Sequence, residues 1–110
     1  FGEYPDQVAY LIEIGLVKAY LDAAFAELVE RKNDIIIVRF EKASLKFFLT
    51  QDYFEAISKT HLKAKISDNQ GKVEIIFDVR NKKDYEILEE LKIFGQTFME
   101  IKERKEKKEA

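Results

Sequence analysis

The sequence predicts an α+β domain: an antiparallel sheet of about four strands in two hairpins, packed by an N-terminal helix, a short middle helix and a long C-terminal helix. Three observations carry this. Val73, Ile75, Phe77 and Val79 fall on one side of a clean alternation, the period of a half-buried strand. Apolar residues recur at helical spacing near both ends of the chain. The 110 residues are 46% hydrophobic and 36% charged, enough apolar material for one core and too much for a disordered chain.

The first helix starts at Pro5, which suits an opening turn because its missing N–H has no partner there. Val8, Leu11, Ile12, Gly15, Leu16, Ala19, Tyr20 and Ala23 follow at helical spacing, and Ile14, Val17 and Leu21 widen the stripe. The helix is placed to end near Asp22, although the periodicity runs on to Val29. Residues 26–31 alternate as a short strand, 32–34 form a polar turn, and the β-branched run 35–40 completes a hairpin.

Residues 44–49 read as either strand or loop, with Leu45, Phe47 and Leu49 alternating around Lys46. Thr50 is placed as the cap of a short helix ending near Lys59, with Phe54 and Ile57 on its apolar face. Residues 62–66 and 72–80 form the second hairpin around a turn at 68–71. Asn81 is placed as the cap of the last helix, whose stripe is Tyr85, Leu88, Leu91, Phe94 or Ile93, Phe98 and Ile101. From 102 to 109 the residues are nearly all charged, the pattern of a frayed or solvated helix end. The whole of 1–110 reads as a single domain.

Composition excludes several classes of chemistry. Cysteine is absent, so there is no disulfide frame, zinc cluster or thiol nucleophile. The lone histidine, His61, has no carboxylate at helical spacing. The carboxylate pair Glu89–Glu90 falls on a solvated face. Gly2, Gly15, Gly71 and Gly95 are isolated, so no phosphate loop exists; Gly15 and Gly95 read as close-packing positions inside helices. No catalytic, cofactor-binding or metal-ligating residue is assigned, and no small-molecule substrate. The longest uncharged stretch, 93–99, is far short of the ~20 residues of a membrane span, and no secretory signal is visible. The chain opens on Phe1, which reads as a fragment or a processed chain.

The net charge of -2 argues against a strongly basic nucleic-acid binder. Lys59, His61, Lys63 and Lys65 still cluster near Tyr53 and Phe54, so a freestanding nucleic-acid-binding α+β module stays open as the second reading. The other reading of these lysines is a wet strand face that protects a sheet edge. Residues 1–34 hold seven acids against three bases, an acidic bias that would steer a basic protein partner. The residues alone support a domain that binds or regulates.

The opening Phe1-Gly2-Glu3-Tyr4-Pro5-Asp6-Gln7-Val8, followed by Leu11-Ile12 and by residues 14–18, resembles the C-terminal domain of the bacterial transcription-repair coupling factor. That family carries an Asp-Arg-Phe-Gly-x-hydrophobic-Pro run, a Val-like residue three positions on, and a Leu-rich helix. Phe1, Gly2, Tyr4, Pro5, Val8 and Leu11 occupy those places, and the element order fits along the chain. Two departures stand out. The family's Leu-Gly-Ile step after the first helix is replaced by 23–26, which lack glycine, and the family's Asp-Arg would precede Phe1.

The resemblance implies a regulatory domain with no ATPase motif of its own. The parent it implies is an ATP-dependent, magnesium-using DNA translocase of the cytoplasm. That parent displaces stalled RNA polymerase from duplex DNA and recruits excision repair through UvrA. The domain is expected to pack on the amino-terminal repair-recruiting module of the same protein and to mask its UvrA-binding surface. Glu3 and Asp6 are the nearest acids for the rim of that contact; Phe1, Gly2, Tyr4, Pro5, Val8 and Leu11 are expected to be structural.

Overall fold

The structure, a computed structural model, describes residues 6–109, with side chains described over 14–107. The elements run α1 (Asp6–Ala23), β1 (Ala26–Lys32), β2 (Ile35–Phe40), α2 (Lys42–Phe47), α3 (Thr50–Ser58), β3 (Lys63–Asn69), β4 (Lys72–Asp78) and α4 (Asp84–Glu109). The strands form one antiparallel sheet in the order β1-β2-β4-β3. Two hairpins therefore meet along β2 and β4, and β1 and β3 are the edges. This is the α+β architecture that the alternation and helical periods predict.

One face of the sheet is buried. Ile36, Val38 and Phe40 of β2 and Ile75, Phe77 and Val79 in and just after β4 point to the helices and are almost fully enclosed. Against them lies the α4 stripe of Ile87, Leu91, Phe94, Phe98 and Ile101. Phe98 meets Phe40, Phe48, Tyr53 and Phe94 at centroid distances of 5.0–5.7 Å, mostly edge to face, the arrangement that ring quadrupoles favour.

Several boundaries differ from the sequence reading. Of residues 44–49, only 48–49 are loop and none is strand: 42–47 are helical, with burial recurring every fourth residue at Phe40, Ser44 and Phe48. Thr50 is the first residue of α3, not its cap. The cap is Leu49, which has no side-chain oxygen to offer. Its backbone N–H instead donates to the Asp52 carboxylate at 2.8 Å, half of a capping box.

Asn81 is likewise not the α4 cap. It sits in a turn with φ 64°, and the helix starts at Asp84, where Glu86 accepts the Lys83 N–H at 3.3 Å. In α4, Tyr85 is exposed and Ile87 takes the buried position assigned to it; Phe94 rather than Ile93 faces the core. Among the described side chains of α1, Val17 and Leu21 are buried, as is Ala24 just beyond the helix, while Ile14, Gly15 and Ala19 are exposed. The helix ends without glycine: Phe25 itself takes φ 69°. Its ring leans on Phe47 at 6.2 Å and lies under the Lys102 ammonium at 5.7 Å. That packing offsets a backbone conformation costing about 1–2 kcal/mol.

Candidate functional site

The amino-terminal motif lies at the boundary of the described residues. Phe1, Gly2, Glu3, Tyr4 and Pro5 are outside them. Asp6 opens α1, and Val8 and Leu11 fall within its first two turns, with side chains outside the described set. From Ile14 onward α1 borders edge strand β1, and Ile14, Leu21, Leu28 and Val29 line a groove of about 360 Å³ there. Lys18, Asp22 and Glu27 rim it with mixed charge.

The basic cluster separates from its aromatic neighbours. Lys63 and Lys65 are exposed on β3 and share one sheet face, because strand side chains alternate. Tyr53 is 1% exposed. Burial pushes its phenol pKa up, against the opposing hydrogen bond with Ser44. Tyr53 is thus a core residue and offers no ring for a base to stack on. Phe54 is exposed, on α3.

His61 joins two elements rather than forming a base. Its backbone N–H donates to Glu90 Oε2 at 2.6 Å, and its Nδ1 lies 3.0 Å from Glu90 Oε1. Glu90 is therefore largely covered, unlike Glu89, and departs from the solvated face expected of the pair. Its work is to hold the lead into β3 against α4. Among the described residues no group of three or more His, Cys, Asp or Glu side chains is placed to hold a metal ion. No helix among them is long and apolar enough to cross a membrane.

Sequence reasoning missed the docking of the charged tail. Residues 102–105 are helical and turned onto α2 and α3 rather than solvated all round. Lys105 Nζ lies 2.8 Å from Asp52 Oδ2 and donates to the Phe47 carbonyl at 3.0 Å. Lys102 stands over the rings of Phe25 and Phe47, and Arg104 reaches Glu55 at 3.3 Å. The signal was present in the sequence: the Phe47–Phe48 doublet and the basic residues continuing the Phe98–Ile101 helical stripe. It needed the tertiary fold to bring the two together.

On the other sheet face, Arg39 donates to Glu74 at 3.0 Å. The Glu74 carboxyl is held below its usual range, first by the Asn69 amide and also by Arg39.

No protein-family model matches the chain, and neither does any curated protein. Among solved structures, it is similar to one described as the crystal structure of the C-terminal domain of transcription-repair coupling factor. The identity is 62% and the TM-score 0.90, over 96% of this chain. The chain spans 65% of the length of that relative. Sequence and fold agree along nearly the full length, and the chain therefore belongs with the C-terminal domains of transcription-repair coupling factors.

Proposed function

We propose that this domain is the regulatory, autoinhibitory interaction module of a transcription-repair coupling factor. The observation that supports this is the 62% identity to such a C-terminal domain over 96% of the chain. The parent is an ATP-dependent DNA translocase that uses magnesium, works in the cytoplasm, displaces stalled RNA polymerase and recruits excision repair. This domain contributes no catalytic group. It packs on the amino-terminal repair-recruiting module and covers that module's UvrA-binding surface. Engagement with polymerase and duplex DNA shifts the equilibrium toward the released state.

The acidic bias of residues 1–34 supports a contact with a basic partner surface, and Glu3 and Asp6 are the residues proposed for its rim. The test is binding of the domain to the purified amino-terminal module, followed by titration calorimetry. Binding that weakens in Glu3→Lys/Asp6→Lys and with added salt is expected. Absence of binding, by this chain and by a version extended upstream, would sink the reading.

A further inference from the structure

The helices all pack on the inner face of the sheet, and no described element covers the outer one. Across that face the register sets Ile35, Ile37 and Ile76 side by side at its centre. They are only half-buried. Toward the β3 edge the face sinks into a depression of about 290 Å³, with Ile35 and Ile76 as an aliphatic floor and Lys63, Lys65 and Arg80 as walls. A second depression, of about 360 Å³, shares Lys63, Asp78 and Arg80 and adds Lys82.

Elsewhere on the sheet most cations are closely paired, with Lys32 reaching Glu30 at 3.9 Å. Arg39 is paired with Glu74, Lys72 with Glu27 and Arg31 with Asp84, all within 3.0 Å. Lys63, Lys65 and Lys82 form no ion pair among the described residues. Arg80 reaches Asp34 only at 4.0 Å, with both side chains mostly exposed. Asp78, the acid within the cleft, spends one carboxylate oxygen on the Arg80 backbone N–H. Lys63, Lys65 and Arg80 thus surround Asp78 over an apolar floor, with Lys82 at the adjoining depression, in a chain whose net charge is -2.

We infer that this cleft docks an extended acidic segment of a protein partner, its carboxylates meeting Lys63, Lys65 and Arg80 and an aliphatic side chain resting on Ile35 and Ile76. Lys63 and Lys65 are two residues apart on one strand, so their Cα atoms are roughly 6.5–7 Å apart. An extended peptide with acids at every second residue repeats that spacing. A nucleic acid fits less well. The outer face of the four strands carries no aromatic side chain on which a base could stack, and a phosphate backbone leaves the aliphatic floor unused.

The cleft uses none of the acidic amino-terminal residues and attracts the opposite charge, so the two readings stand or fall independently. The test uses the full chain and fluorescence anisotropy with three labelled probes: a ten-residue peptide alternating Glu and Leu, one alternating Glu and Gly, and oligothymidine. The Glu–Leu peptide should bind best and lose affinity with added salt. Lys63→Glu/Lys65→Glu should weaken it by about tenfold or more. Ile35→Thr should weaken the Glu–Leu probe but not the Glu–Gly probe, and Lys18→Glu on α1 should change neither. Tighter binding of oligothymidine, no peptide binding, or charge reversal without effect in folded protein would each overturn the proposal.

Discussion

Gly15 and Gly95 both sit inside helices, yet their surroundings are opposite. A Cβ built on Gly95 would lie 2.6 Å from Tyr20 Cβ, an atom fixed to the α1 backbone. The α1–α4 contact can therefore admit a methyl group only if a helix moves. Around Gly15 a Cβ meets nothing within 4 Å among the described residues. Close packing, expected at both glycines, holds only at Gly95. Gly15→Ala is expected to stabilise the domain by about 0.5–1 kcal/mol through the lost unfolded-state entropy. Gly95→Ala is expected to destabilise it by about 1–3 kcal/mol through overpacking. Urea denaturation of the two variants checks both signs.

Glu74 sets a second residue-scale expectation. Its carboxyl is lowered below 4.5 in the folded state, so its contribution is present above that value and is lost as pH falls through the lowered one. Thermal midpoints of wild type and Glu74→Gln should differ at about pH 6 and converge toward about pH 3. A constant gap across that range would remove the Asn69 and Arg39 contacts as its cause.

Among the elements, the clasp between α4 and the α2–α3 junction decides the most. Asp52 serves two ends at once: it accepts the Leu49 N–H that opens α3, and it holds Lys105 from the last turns of α4. Next to it, Ser44 Oγ donates to the Ala24 carbonyl, tying α2 to the end of α1, and hydrogen-bonds Tyr53. Asp52→Ala should cost about 2–3 kcal/mol, combining a lost cap with an uncompensated, largely covered ammonium. Lys105→Met keeps an unbranched apolar side chain but removes the ammonium over Phe48, and should cost about 1 kcal/mol. In a double-mutant cycle the two effects should fall short of additive, measured by chemical denaturation.

The hairpins, α1 and α4 were legible from single segments because their periods are local. The β3–β4 turn is a case in point: Gln70 and Gly71 both adopt positive φ, which a two-residue hairpin loop requires. The α2 segment was not legible. Its six residues are too short for a period to show, and the alternation of Leu45, Phe47 and Leu49 mimics a strand. The buried side of that helix is Ser44, a polar residue satisfied only by partners 9 and 20 positions away. The outer-face cleft escaped for a related reason. Lys63 and Lys65 were visible as a basic pair, but Ile35 and Arg80 join them only through sheet pairing.

For the molecule as a whole, charge is divided by surface. The amino-terminal third is acidic, the β3 side of the outer sheet face is cationic, and the basic tail of α4 is largely spent on the domain's own α2 and α3. A domain arranged this way has one cationic face for a partner, an acidic bias in its first third, and a set of internal ion pairs that tie α4 to α3. Interdomain contacts built on charged rims are reversible and salt-sensitive, as the proposed masking contact requires.

The most direct measurement of the regulatory claim is ATP turnover by the complete parent protein, with and without this domain, in the absence of polymerase. Removal of the domain is expected to raise turnover and to expose binding of UvrA that the intact protein lacks. Unchanged turnover and unchanged UvrA binding after removal would contradict the account.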